Sequence, residues 1–139
     1  MVLVDTSVWS LALRRRLAPA SPADTRFVEA LTALLEDDLA VLVGPVRQEL
    51  LSGIRDPSQL ERLCARLEAF PDVPLGQADW VEAARAANRC RGAGLAGSSV
   101  DFLLCPVALR RDLPLLTADH DFARDATVLG LTLIEPPGA

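Results

Sequence analysis

Five acidic residues stand where carboxylates could do chemistry: Asp5, Glu49, Asp101, Asp119 and Asp121. Asp5 ends the apolar run 1–4, and Glu49 lies in a helical pattern just after the apolar run 39–43. Asp119 and Asp121 follow the run 113–117, and Asp101 falls in the first turn of a helix entered from the glycine-rich segment 92–97. In open α/β sheets, ligands bind outside the carboxyl ends of the strands. Four segments far apart in sequence would thus bring carboxylates to one sheet edge. Two carboxylates about 4 Å apart repel by roughly 4 kcal/mol at an effective dielectric of about 20. Such a cluster must take up protons or bind a cation. Oxygen-only ligands favour a hard cation, Mg²⁺ or Mn²⁺. A site of that kind suits phosphodiester hydrolysis, because the metal activates a water and stabilises charge on the phosphate and leaving oxygen. Taken singly, each acid has an ordinary role open to it. Asp5 could cap a helix, Glu49 could be a solvated helix residue, Asp101 could answer a helix dipole, and Asp119 and Asp121 could be loop acids.

The elements that must position these acids follow from apolar spacing and punctuation. Residues 1–4 and 39–43 read as buried strands, 73–75 as a short third, 113–117 as a fourth and 131–134 as a last one. Thr6 or Ser7 can cap a first helix through Trp9, Leu11 and Leu13. Ser21-Pro22-Ala23-Asp24 is a second helix start, with a capping serine, proline at the first helical position and an acid in the first turn. Gly44-Pro45 and Asp56-Pro57 begin two more, and residues 77–91 form another with Trp80, Val81 and Ala84 on one side. Ser98 or Ser99 caps the helix bearing Asp101, while 118–125 reads as a polar loop or a single turn. Strands alternating with helices predict a single domain over 1–139, an α/β three-layer sandwich with a parallel sheet between helices.

Composition narrows the function classes. No apolar run approaches the roughly 20 residues that span a bilayer, and no basic segment precedes the first apolar run, so a cytoplasmic protein is expected. Cys64, Cys90 and Cys105 show no CxxC spacing and read as free thiols in a reducing compartment. Net charge is −5, from 19 acids against 14 basic residues. Setting the five site acids aside leaves the remainder neutral, so a cation site could account for the whole deficit. Every basic residue is an arginine.

Four blocks in order, Val4-Asp5-Thr6-Ser7, Gln48-Glu49-Leu50, Asp101 heading an apolar helix, and Leu115-Leu116-Thr117-Ala118-Asp119-His120-Asp121-Phe122, resemble the PIN domain. Within it they resemble the VapC toxins of bacterial toxin–antitoxin pairs. The resemblance implies a five-stranded parallel sheet, an Mg²⁺- or Mn²⁺-dependent endoribonuclease acting on RNA, a homodimer, and a VapB-type antitoxin whose tail blocks the site. It also implies that Asp5, Glu49, Asp101 and Asp119 bind metal with Asp121 as an auxiliary acid, and that Thr6, Ser7 and Thr117 orient the carboxylates. One departure is Pro106, where the family commonly has a run of small residues. Proline lacks an N–H and crowds the carbonyl four residues earlier, which predicts a kink in the Asp101 helix.

An acidic RNA-binding protein needs local cations. Candidates are Arg14, Arg15 and Arg16, Arg47 beside Glu49, and Arg110-Arg111, since guanidinium forks suit phosphate. His120, the sole histidine, reads as a loop residue. A phosphoaspartate receiver or haloacid-dehalogenase-type phosphatase also places an aspartate after a parallel strand. Both use a lysine, and this chain has none. A second rival is a non-catalytic PIN fold that binds RNA or a partner without cutting.

Overall fold

The computed structural model describes residues 1–13 and 21–136. Its elements in chain order are β1 (Val2–Val4), α1 (Thr6–Leu13), α2 (Pro22–Glu36), β2 (Ala40–Val41), α3 (Gly44–Ser52), α4 (Pro57–Leu67), α5 (Gln77–Gly92), α6 (Ser99–Arg111), β3 (Leu115–Leu116) and α7 (His120–Leu129). The proline-led helix starts form as their chemistry dictates. Ser21 accepts from the Asp24 N–H, and Asp56 from that of Gln59, each supplying an orphan donor of the first turn with its partner.

The three strands run parallel in the order β2-β1-β3, with Leu3 opposite Val41 on one side and Leu115 on the other. Leu3, Val4, Leu115 and Leu116 are fully or almost fully buried, as expected of a parallel sheet covered on both faces. The chain moves from β1 to β2 and then back past β1 to β3. Right-handed crossovers in opposite directions put their helices on opposite faces. The reversal makes the gap between the carboxyl ends of β1 and β3 the topological switch point, where such sheets bind ligands.

The five-stranded sheet expected from the resemblance is corrected to three strands among the described residues. Asp72, just before the expected strand 73–75, and Leu133, within the expected strand 131–134, lie along the two sheet edges, but each makes only a single parallel bridge, to Leu42 and Leu115 respectively. Pro71 and Pro74 flank the first of these and have no N–H to donate, which stops the ladder from extending. The segment after β3 is also corrected, from a loop to the ten-residue α7, whose Phe122, Ala126 and Leu129 are buried. In α5 the inward side is Asp79, Ala86 and Cys90, while Trp80, Val81 and Ala84 face outward. The helix carrying Pro106 runs without interruption from Ser99 to Arg111, and Pro106 is buried within it. Among the described residues no helix is long and apolar enough to cross a membrane.

Candidate functional site

Asp5 sits where the central strand ends. Its N–H continues the β1–β3 ladder by donating to the Leu116 carbonyl at 2.9 Å, and its side chain is buried. Three donors converge on one carboxylate oxygen. The Ser7 hydroxyl donates to Oδ2 at 2.6 Å, the Thr117 hydroxyl at 2.8 Å, and the Ser7 N–H more weakly at 3.4 Å. Asp5 therefore occupies the position before the first helix for which Thr6 or Ser7 seemed suited. The Ser7 hydroxyl also accepts from the Ala118 N–H at 2.9 Å, which ties the start of α1 to the end of β3. These bonds give a buried carboxylate partners without a cation, the condition under which burial is tolerable.

The other carboxylates are brought up by different means. Thr117 accepts from the Asp119 N–H, and Asp119 in turn caps α7 by accepting from the Asp121 N–H at 2.9 Å. Asp121 and His120 are exposed in the first turn of that helix. Glu49, on α3, accepts from the hydroxyl of Thr6, the residue after Asp5, at 2.5 Å. Asp101 closes a capping box at the start of α6, where Ser98 accepts from the Asp101 N–H and the Asp101 carboxylate accepts from the Ser98 N–H. This fixes Asp101 five residues ahead of Pro106, so the proline does not set its orientation. Burial pushes the Asp101 carboxyl up to about 6, and the charges of Asp5 and Asp119 add to the rise while the Ser98 hydrogen bonds oppose it. Asp101 thus feels both acids of the switch point. Among the described residues, no three His, Cys, Asp or Glu side chains form a ready-made metal cage.

The arginines divide differently from the sequence expectation. Arg14, Arg15 and Arg16 lie outside the described residues. Arg47, expected at the substrate, is engaged within the protein: the guanidinium donates to the Leu67 and Phe70 carbonyls and bonds Asp72 through Nε and a terminal nitrogen. It clamps the end of α4 to the segment that follows. Arg110 and Arg111 are likewise engaged, both on the buried Asp79, whose carboxylate also accepts from the Gly76 N–H.

One buried acid escaped the sequence reading. Asp125 on α7 is 1% exposed, and neither of its oxygens accepts a hydrogen bond. The Cys90 thiol faces it outside hydrogen-bond geometry. Burial raises its pKa, the thiol opposes this, and Asp119 and Asp121 add to the rise. Its signal was the stripe Phe122, Ala126 and Leu129, on which residue 125 falls once the segment is taken as a helix. Cys90 and Cys105 are free and buried; Cys64 is free and half-buried.

Two solved structures share the fold. One is the crystal structure of FitAcB from Neisseria gonorrhoeae, at 21% identity and a TM-score of 0.74, with all of both chains covered. The other is FitAB bound to an IR36 DNA fragment, at 19% identity and a TM-score of 0.72, covering 96% of this chain and 94% of that one. No curated protein matches the chain. The PIN domain family matches residues 2–127, nearly the whole length and a span that includes all five candidate acids, and the chain belongs to that family.

Proposed function

We propose that this protein is a divalent-metal-dependent endoribonuclease and the toxin of a VapBC-type toxin–antitoxin pair. The observation that supports the reading is that Asp101 feels the charges of Asp5 and Asp119, acids from distant segments that Thr117 links by hydrogen bonds at the ends of β1 and β3. Their chemistry fits a hard cation: the donors are all oxygen, and the charges of Asp5 and Asp119 favour a proton or a cation at Asp101. Asp5, Glu49, Asp101 and Asp119 would hold Mg²⁺ or Mn²⁺, with Asp121 as an auxiliary acid. The metal, when bound, supplies Lewis acidity toward water and phosphate. The chain's own part is orientation. Ser7 and Thr117 donate to one oxygen of Asp5, and Thr6 donates to one oxygen of Glu49.

The toxin role is supported by the VapC-like order of the four motif blocks. It implies a VapB-type antitoxin partner, a homodimer and a cytoplasmic location, and the fold shared with DNA-bound FitAB is compatible with a complex of that kind. The test is cleavage. Purified protein is expected to cut RNA in Mg²⁺ or Mn²⁺, to stop in EDTA, and to lose activity in Asp5→Asn by at least about a hundredfold, the scale of a lost transition-state electrostatic contact. Cutting at full rate in EDTA contradicts the metal mechanism. Binding of RNA without cutting would favour the non-catalytic PIN module instead.

A further inference from the structure

Of the candidate substrate arginines within the described residues, Arg47, Arg110 and Arg111 are spent on protein contacts, yet an acidic protein that handles RNA needs free cations near its site. Arg62 and Arg66 meet that need. They stand one turn apart on α4 and, with Gln59, Ser10, Leu50 and Glu49, line an open cleft of about 520 Å³. Both side chains are exposed, and among the described residues neither makes an ion pair or a hydrogen bond. They remain unpaired even though acids outnumber bases in the chain. Glu49 shares the cleft but is bonded to Thr6 instead. The cleft therefore has an unpaired cationic wall, an apolar floor that includes Ile54 and Leu63, and one of the proposed metal ligands at its edge.

We propose that Arg62 and Arg66 bind the phosphodiester backbone of a single-stranded RNA and lead it across Glu49. Residues four apart on a helix rise by about 6 Å, so the two forks address neighbouring phosphates rather than one, each in bidentate fashion. The apolar floor suits ribose and unstacked base faces, which a duplex keeps stacked inside. The inference rests on the ribonuclease reading and adds to it the route of the substrate.

The test is the salt dependence of RNA binding, measured with a short single-stranded RNA of mixed sequence in Mg²⁺, in an Asp5→Asn background that does not cut. Each phosphate contact to a single strand contributes about 0.7 to the slope of log affinity against log salt. Arg62→Gln with Arg66→Gln should lower that slope by about 1.4, and the remote Arg85→Gln on α5 should leave it unchanged. A slope equal to the parent's in the double variant overturns the inference while leaving the ribonuclease reading intact. Retained RNA slope with loss of poly-aspartate peptide binding overturns it in favour of an acidic protein segment. Failure of the parent to bind RNA overturns it too, and wild-type cleavage in Mg²⁺ then decides separately whether the ribonuclease reading stands.

Discussion

At the scale of single residues, the same side-chain type does opposite work according to its surroundings. Asp79 is buried against Arg110 and Arg111, and the Arg111 hydrogen bonds, with the Gly76 N–H, hold its carboxyl down to about 2 despite burial. Asp101, with acids for neighbours, is pushed the other way. The Asp79 shift makes a pH prediction. Its folded pKa lies below the unfolded value of 3.8, so its contribution is complete above about pH 4 and is lost as pH falls toward 2. Asp79→Asn should lower stability at neutral pH by roughly 1.5–3 kcal/mol, the worth of hydrogen bonds to a charged group. It should also flatten the acid limb of a denaturation series between pH 4 and 2; an unaltered limb would contradict the assignment. Residue roles were only partly legible in the sequence. The orienting hydroxyls of Ser7 and Thr117 were implied by the family resemblance, but the fate of Arg47 could not be read, because its acceptors, Leu67, Phe70 and Asp72, lie 20 to 25 positions away.

At the scale of elements, the helices were easier to read than the strands. Ser21-Pro22 and Asp56-Pro57 carry their own start signals, and both caps form. The strands are two or three residues long, too short for a period to declare itself, and the edge segment at Asp72 is limited by Pro71 and Pro74, which cannot donate. The segment after β3 looked like a loop because its first residues, Asp119 to Asp121, are polar; they are the cap and first turn of α7. The joint between α7 and the glycine-rich segment rests on Gly97. A methyl there would stand 2.7 Å from the Asp125 carboxylate and 2.9 Å from the Phe102 ring. Neither neighbour can withdraw freely, since Asp125 and Phe102 are both buried. Gly97→Ala should therefore cost roughly 1–3 kcal/mol, as overpacking does. It should also disturb the adjacent Ser98–Asp101 cap. Thermal denaturation measures the loss, and an unchanged midpoint would show that the α6–α7 joint is looser than described.

At the scale of the whole molecule, the order β2-β1-β3 explains why acids so far apart in sequence belong together. One strand end supplies Asp5, the neighbouring strand end leads to Thr117 and Asp119, Asp101 at the start of α6 feels the charges of both acids, and Glu49 is bonded to Thr6, the residue after Asp5. The parallel α/β class could be read from the alternation of elements, and the position of Asp5 and Asp119 from their place after apolar runs. What could not be read was the division of labour among arginines, which depends on tertiary contacts. The central claim is that these carboxylates form one hard-metal site, and Mn²⁺ titration of the apo protein, followed by electron paramagnetic resonance of the free ion, tests it most directly. Wild type is expected to take up Mn²⁺, and Asp5→Asn and Asp119→Asn to bind it at least about tenfold more weakly. Equal Mn²⁺ uptake by wild type and both variants would contradict the account.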